Sequence, residues 1–278
     1  MKVTFWGTRG SVAAPGPDPA RYGGNTSCVQ VCSDDGTVVV LDAGTGIRRL
    51  GDALPAGLKR VDILLTHLHM DHLQGLGFFA PLDIPGIEVH IWGPASTTLS
   101  LRNRLLRYMS PPLFPVHLRD LPCSLNLHEV PGAEEHVGPF TVTSERVCHP
   151  GPTVGYRIAQ NGASLAYIPD HEPALGARRF PVAGEWTSGF ELARGVDLLI
   201  HDCQFTADEY AARVGWGHSA LQHAFDFGAL ARVKQLAPFH HDPAHDDGEL
   251  DRYFSDGIAE SHPAFPVTPA MEGLTIAI

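Results

Sequence analysis

The sequence predicts an α/β protein in which two β-sheets are sandwiched between helices. Short apolar runs typical of strands recur in both halves of the chain, and segments with helical patterns lie between them. The chain has 278 residues, 44% of them hydrophobic, so it can bury a large core. No glycine-serine or proline-rich linker divides it. We therefore expect one domain over residues 1–278.

In the first half of the chain, apolar runs and turn residues mark the elements. Strands are predicted over Lys2–Gly7, Cys28–Cys32, Thr37–Leu41, Asp62–Leu65 and Glu88–Trp92. The turn Asp34-Asp35-Gly36 makes a hairpin of the second and third strands. Helices are predicted after the glycine-rich segment 42–46, from Asp71, and over Thr97–Tyr108. The segment 42–46 has neither a GxGxxG pattern nor a P-loop lysine, which argues against a nucleotide-phosphate loop.

In the second half, Met109–Pro122 is rich in proline and apolar residues, so we expect an irregular surface segment. Strands are predicted over Phe140–Cys148, Gly155–Ala159, Ala163–Ile168, Val196–Ile200 and Leu274–Ile278, and the run Leu236–Phe239 also ends as a strand would. Helices are predicted over Ser219–Gln235 and Asp246–Phe254. Strands and helices thus alternate to the end of the chain.

Composition and charge narrow the classes of function. The net charge of −11 argues against a broad surface for long nucleic acids and favours a small anionic substrate held at metal ions. The five cysteines are scattered and form no CxxC pair, which fits a reducing compartment. No leader peptide or long apolar stretch is evident, so we expect a cytoplasmic protein without a membrane partner. A homodimer stays open.

The segment 64–72, with the sequence LLTHLHMDH, holds four potential metal ligands behind a buried strand. His67 and His69 are two residues apart, so extended backbone places both imidazoles on the same face. Asp71 and His72 follow where the chain turns into the next element. Imidazole and carboxylate groups suit zinc or a similar first-row metal, and the second pair predicts a second ion nearby.

Three later segments place polar residues directly after a strand, where sites in α/β proteins are assembled. These residues are His149, Asp170 and the pair His240-His241. Taken singly, each could be an ordinary hydrogen-bonded group at a strand end. Their occurrence together with the segment 64–72 favours a shared site.

With these motifs, the chain resembles the metallo-β-lactamase-fold superfamily, whose hallmark is HxHxDH at 67–72. Within it, the pattern is most similar to the phosphodiesterase branch that includes ribonuclease Z and hydrolases of small cyclic phosphodiesters. The further matching segments are GYRI at 155–158, YIPD at 167–170, DLLIHD at 197–202, HSA at 218–220 and FHHDP at 239–243. The resemblance covers essentially the whole chain and implies an αββα sandwich of two mixed sheets.

The resemblance also implies a ligand set for two divalent ions, zinc first, with manganese or iron also compatible. One ion would be held by His67, His69 and His149, the other by Asp71, His72 and His240, with Asp170 between them. His241 is the rival to His240 as a ligand. Such a pair of ions activates a water for attack on a phosphoryl group, so Asp71 counts among the catalytic residues.

In ribonuclease Z-like enzymes, a histidine before serine or threonine pairs with the acid that closes the DLLIHD-type segment. The corresponding residues here are His218 and Asp202. A paired imidazole can donate a proton to the leaving oxygen. The competing interpretation of His218 is a helix-start histidine with an ordinary surface partner.

We therefore expect a binuclear phosphodiesterase acting on a small phosphodiester, with cyclic nucleotides as one candidate. Ribonuclease Z enzymes usually carry a long substrate-gripping insertion between the third histidine ligand and the bridging aspartate. Only twenty residues separate His149 from Asp170 in this chain. The competing hypotheses are an RNA 3′-processing nuclease despite this departure, a thioester or lactone hydrolase, and a metal-binding sensory module without turnover.

Weaker candidates surround this set. Asp42 is expected to orient ligand histidines, and residues 25–28 either line the rim of the pocket or are buried polar groups at a strand edge. Arg102, Arg104 and Arg107 either reach a substrate phosphate or form a solvated helix face.

Overall fold

Two stacked mixed β-sheets form the centre of the computed structural model, which describes residues 1–130, 134–175 and 179–278. The first sheet has seven strands in the order β13-β1-β2-β3-β4-β5-β6, antiparallel from β13 to β3 and parallel from β3 to β6. Its strands are β1 Lys2–Gly7, β2 Cys28–Cys32, β3 Val38–Leu41, β4 Arg60–Leu64, β5 Glu88–Pro94, β6 Ser124–Val130 and β13 Thr275–Ala277.

The second sheet has six strands in the order β12-β11-β10-β9-β8-β7. Strands β10, β11 and β12 run parallel, and β7 to β10 are antiparallel neighbours. Its strands are β7 Glu134–Val137, β8 Phe140–Arg146, β9 Val154–Gln160, β10 Ala163–Ile168, β11 Leu198–Asp202 and β12 Leu236–Phe239.

Helices cover the outer faces of both sheets. The helices are α1 Ile47–Ala53, α2 Met70–Leu73, α3 Leu101–Leu105, α4 Phe190–Ala193, α5 Ala207–Ala211, α6 Leu221–Ala231 and α7 Asp247–Ser261. Short 3₁₀ turns lie at Leu76–Phe78, Ala80–Asp83, Leu118–Asp120 and Gly184–Trp186. Across the described ranges, no helix is both long and apolar enough to cross a membrane.

Three apolar cores correspond to the three contacts between these four layers. Phe5 and Tyr156 belong to a core shared by the two sheets, Leu50 to a core between the first sheet and its helices, and Phe227 to one between the second sheet and its helices. Each strand that faces two cores is apolar on both sides, as β3 shows with four buried residues in a row. The predicted αββα sandwich of two mixed sheets is confirmed.

Two helices differ clearly from their predicted bounds: α7 continues to Ser261, beyond the predicted end at Phe254, and α3 is shorter than predicted. The sequence predicts a helix over Thr97–Tyr108, whereas α3 spans only Leu101–Leu105. Ser96 binds the Thr98 backbone N–H at 3.3 Å, and the Ser100 side chain accepts from Asn103 N–H at the helix start. Side chains that bond the local backbone compete with a helix before the cap, which accounts for the late start.

The sequence patterns did not reveal β6, β7, α4 or α5. Edge strand β6 has only Val130 buried, and β7 only Val137, so neither has the apolar run of a core strand. The segment 109–122 is irregular as predicted, but Met109, Phe114 and Leu118 are buried in the core beneath it. It is therefore anchored to the first sheet and its helices.

The carboxyl ends of the parallel strands meet where the two sheets come together. Strands β3 and β4 lead into Asp42 and the segment 66–72. On the second sheet, β10 leads into Asp170, β11 ends at Asp202, and β12 leads into His240. Parallel strands present their carboxyl ends at one edge, which is why distant sequence segments reach one place.

Candidate active site

All nine residues predicted for the site come together at this edge. Ligand atoms that lie within 4.8 Å of one another define several groups of histidine and aspartate. We name two of them. The buried ligand group consists of Asp71, His72, Asp170 and His240, and the open ligand group consists of His67, His69 and His149. Asp202 and His218 form further groups with members of these two.

The buried ligand group has the dimensions of a coordination sphere. The His72 Nε2 atom lies 3.0 Å from Asp170 Oδ1, 3.3 Å from Asp71 Oδ2 and 3.2 Å from His240 Nε2. The His240 Nε2 atom lies 3.1 Å from Asp71 Oδ2 and 3.4 Å from Asp170 Oδ1. Ligands about 2.0–2.1 Å from a tetrahedral ion are about 3.3–3.4 Å apart. These spacings fit such an ion.

The open ligand group borders solvent. His149 Nε2 lies 3.2 Å from His69 Nδ1, and His69 is an exposed residue. The other oxygen of Asp170, Oδ2, lies 3.7 Å from both His67 Nε2 and His149 Nε2. The two oxygens of Asp170 thus face the two groups separately, as a carboxylate between two ions would.

Hydrogen bonds on the far side of three imidazole rings fix their tautomers and leave an unprotonated nitrogen toward the site. His72 Nδ1 lies 2.8 Å from Asp42 Oδ2, His149 Nδ1 lies 2.8 Å from the Gly217 carbonyl, and His240 Nδ1 lies 3.0 Å from Gln204 Oε1. Because these partners are acceptors, each Nδ1 is the protonated nitrogen. In the tautomer that donates through Nδ1, each ring directs the Nε2 lone pair toward the neighbouring carboxylates. Such an arrangement fits a cation.

Buried atoms without hydrogen-bond partners and the negative charge of the site also fit a bound cation. His67 Nε2 and Asp170 Oδ1 are buried and have no hydrogen-bond partner among the described residues. Burial lowers the pKa of the His72 imidazole, but Asp170, Asp71 and Asp42 outweigh this and raise it well above its usual range. A site with this much uncompensated negative charge is stabilised by positive charge, which divalent ions supply.

Asp42 supports the ligands from behind, as the sequence suggested. Its buried carboxylate accepts hydrogen bonds from the Thr66 backbone N–H at 2.7 Å and from the Tyr167 hydroxyl at 2.9 Å, besides contacting His72. Asp42 has a left-handed φ of 59°, as does the ligand candidate His240 with 63°. A non-glycine residue in this region costs about 1–3 kcal/mol, so the surrounding contacts must hold both backbones in place.

His218 and Asp202 form a tight pair beside both ligand groups. His218 Nδ1 lies 2.7 Å from Asp202 Oδ2, and the His218 ring stacks on His240 with centroids 5.0 Å apart. Buried Asp202 also accepts the backbone N–H groups of His171 and Ser219 at 3.1 and 3.0 Å. Burial lowers the pKa of His218, but Asp202 outweighs it and raises that pKa to about 9.

The structure separates the adjacent candidates His240 and His241. Both are fully buried, yet only His240 joins the ligand groups. His241 Nε2 donates to the Ala270 carbonyl at 2.8 Å, and its ring packs edge-on against Tyr22. Gly10 makes room for the His240 ring, because a Cβ at position 10 would collide with it. The geometry therefore favours His240 as the ligand.

Glu172 is a site residue that the sequence analysis missed. Its buried carboxylate accepts the backbone N–H groups of Gly215 and Gly217, each at 2.8 Å, and the Tyr210 hydroxyl at 3.1 Å. This loop presents the Gly217 carbonyl to His149 and leads directly into His218. Gly217 has φ 89°, and a Cβ there would collide with the His149 ring. Glu172 thus fixes the backbone behind one ligand and the paired histidine.

No local pattern reveals Glu172, because its partners are backbone groups of a segment more than forty residues away. Gln204 was also missed, although its position two residues after Asp202 at a strand end could have marked it. In the segment 25–28, Asn25 is half-buried and the other three residues are buried, and Thr26 exchanges backbone and side-chain hydrogen bonds with Thr45. Of the three arginines, Arg104 and Arg107 line a cavity beside His67 and His69, and Arg102 does not.

Known proteins share this architecture. A model of the beta-lactamase superfamily domain matches residues 37–241, which is more than half of the chain and contains all nine predicted site residues. A ribonuclease Z from Haloarcula marismortui is 27% identical over 274 residues, covering 86% of this chain and 86% of the relative.

Two solved structures show the same fold. The metallo-beta-lactamase fold protein YhfI from Bacillus subtilis superposes with a TM-score of 0.71 at 20% identity, covering 99% of this chain and 98% of that one. The short form of human tRNase Z superposes with a TM-score of 0.67 at 23% identity, covering 100% of this chain and 99% of that one. At these identities the superpositions carry the fold alone.

Proposed function

Since the chain belongs to the beta-lactamase superfamily, a family of metal-dependent hydrolases, we propose that it is a binuclear phosphodiesterase acting on a small phosphodiester. His67, His69 and His149 would hold one divalent ion, and Asp71, His72 and His240 the other, with Asp170 between them. When bound, such ions lower the pKa of a bound water and neutralise phosphoryl charge. The histidine and carboxylate donors suit zinc, and they are also compatible with manganese and iron.

The Asp202–His218 pair is the observation that carries the proposal. His218 lies against both ligand groups, with its Nδ1 bound to Asp202, so Nε2 is the nitrogen free to serve a substrate. The adjacent Asp202 carboxylate raises the pKa of His218 and so favours the imidazolium. It can then stabilise phosphoryl charge and donate a proton to the leaving oxygen. Ester cleavage at phosphorus needs such a donor, because an alkoxide is a poor leaving group.

A small substrate is supported by the interval between His149 and Asp170. The hairpin of β9 and β10 fills it, joined by a tight turn at Asn161-Gly162, so no substrate-gripping insertion emerges there. The net charge of −11 supports the same choice. Cyclic nucleotides are one candidate class within it.

The second candidate is an RNA 3′-processing nuclease. It is favoured by the ribonuclease Z relative, whose match extends over most of both chains. Both candidates cleave phosphodiesters and would use the same ligands and the same His218. They differ in the size of the substrate, so substrate assays separate them.

The test is a substrate panel on the zinc- or manganese-loaded protein. We expect hydrolysis of bis(p-nitrophenyl) phosphate and of at least one small natural diester, with a transfer-RNA precursor left intact. Cleavage of the precursor without small-diester activity would favour the nuclease. Thioester or lactone hydrolysis alone, or metal binding without any turnover, would contradict both phosphodiester proposals.

A variant tests the role of His218 on the small natural diester of the panel, whose alkoxide leaving group needs a proton, whereas the p-nitrophenolate of the synthetic substrate leaves without one. Replacing the proton donor by His218→Ala should lower kcat by about 10²–10⁴-fold. Metal content should stay at the wild-type level, because His218 is not among the proposed ligands. Retention of most of the turnover would show that the pair is only structural.

A further inference from the structure

A cavity of about 310 Å³ opens beside the open ligand group. His67 and His69 form part of its wall, so a diester bound at the proposed ions would extend one of its ester groups into this space. Cavities of roughly 300–1,000 Å³ hold small organic ligands. The volume therefore suits one nucleoside-sized group.

Most of the remaining wall is apolar. Met70 and Leu113 lie at the cavity with 49% and 68% of their surface exposed. Tyr108 adds an aromatic ring, and its hydroxyl donates to the Gln74 carbonyl at 2.6 Å. Exposed apolar side chains gathered at a cavity favour contact with an organic group rather than with water.

Two arginines provide positive charge in the same wall. Arg104 of α3 and Arg107 of the turn that follows it both line the cavity, whereas Arg102 does not. Arg104 donates to the Pro94 carbonyl, and its buried Nε has no partner among the described residues. Arg107 is exposed, and within the described ranges its guanidinium has neither a hydrogen bond nor an ion pair.

We infer that this cavity is a substrate subsite in which Arg107 binds a second phosphate, carried by the organic group of the diester. A guanidinium binds phosphate oxygens in a bidentate manner, and an unpaired one loses no internal partner on doing so. The inference rests on the proposed function and narrows its substrate class. The substrate is a linear diester with a terminal phosphate, such as a phosphorylated dinucleotide, rather than a cyclic mononucleotide with a single phosphate.

The test compares the thymidine dinucleotides TpT, pTpT and TpTp, with bis(p-nitrophenyl) phosphate as a reference substrate. Wild-type protein should cleave one of the two phosphorylated dinucleotides with a kcat/KM at least about tenfold above that of TpT, since one charged hydrogen-bonding group is engaged. In Arg107→Ala this preference should fall to within about twofold of unity. Arg102→Ala is the matched control, because Arg102 is an exposed arginine of the neighbouring helix α3 and lies outside the cavity, and it should keep the preference.

The outcomes separate the two proposals. If the metal-loaded wild type cleaves neither bis(p-nitrophenyl) phosphate nor any dinucleotide, the proposed function is wrong. If it cleaves bis(p-nitrophenyl) phosphate but shows equal kcat/KM for TpT and both phosphorylated forms, the subsite is wrong. A preference that persists in Arg107→Ala also overturns the assignment of Arg107.

Discussion

The buried and the open ligand groups use the same kinds of side chain in different surroundings. The members of the buried group are all buried, and five of their mutual distances lie between 3.0 and 3.4 Å. The open group contains exposed His69 and borders the cavity. This difference points to different roles for the two groups. On the proposed function, the buried group would enclose its ion, and the open group would hold one where a substrate can reach it.

Replacing Asp170 should have the largest effect, because its two oxygens face the two groups. We expect Asp170→Asn to lower bound metal below two ions per chain and activity by about 10³-fold or more, since loss of an outer-shell partner alone costs about 10–100-fold. Elemental analysis and bis(p-nitrophenyl) phosphate turnover measure both quantities. A variant with two ions and near-normal turnover would show that Asp170 does not join the groups.

The pair His240→Gln and His241→Gln tests the buried group alone. His240→Gln should reduce the metal content to about one ion per chain and turnover by about 10²-fold or more. His241→Gln should keep both ions, because a glutamine amide can still donate to the Ala270 carbonyl. Equal metal loss in both variants would contradict the assignment of His240 over its neighbour.

The variant Glu172→Gln tests whether Glu172 supports the open ligand group through the loop behind His149. A glutamine NH₂ would face the N–H groups of Gly215 or Gly217 and disturb the loop that positions His149. The affinity for the ion at the open ligand group should therefore fall by about 10–100-fold. Titration of the metal-free protein should show this loss for one ion only. Glu209→Gln is the control, because Glu209 caps α5 and has no contact with His149. Similar metal binding in both variants would show that Glu172 does not support the open ligand group.

The smallest effect is expected at His201, which belongs to neither group. Its Nδ1 donates to the Asp202 carbonyl at 2.9 Å, and burial lowers its pKa to about 4. The unfolded chain, with a histidine pKa near about 6.5, then binds more protons between these values. The free energy of unfolding should therefore fall as the pH is lowered from about 6.5 toward 4, by an amount on the order of 1–3 kcal/mol from this residue.

Denaturant unfolding of metal-free wild type and His201→Gln between pH 7 and pH 4.5 checks this sign. The variant should show the shallower decrease in unfolding free energy with falling pH. Parallel curves would mean that the His201 imidazole titrates alike in the folded and unfolded chains.

Much of the site could be predicted from the sequence because its signals are local. The proposed ligands lie in one short segment and directly after strands, and β1, β2 and β10 were predicted with the bounds that the structure has. Glu172 was not predictable, since it acts on backbone groups of a distant loop. Likewise, no spacing along the helical segment could tell that Arg107 reaches the cavity and Arg102 does not. Both facts depend on how separate elements pack.

The most direct test of the central claim is a titration of metal-free protein with Zn²⁺, with bound ions and bis(p-nitrophenyl) phosphate hydrolysis measured in the same samples. The two-group geometry predicts saturation at two ions per chain, with hydrolysis reaching its maximum only as the second ion binds. Saturation at one ion, or two bound ions without diester hydrolysis under Zn²⁺ or Mn²⁺, would contradict it.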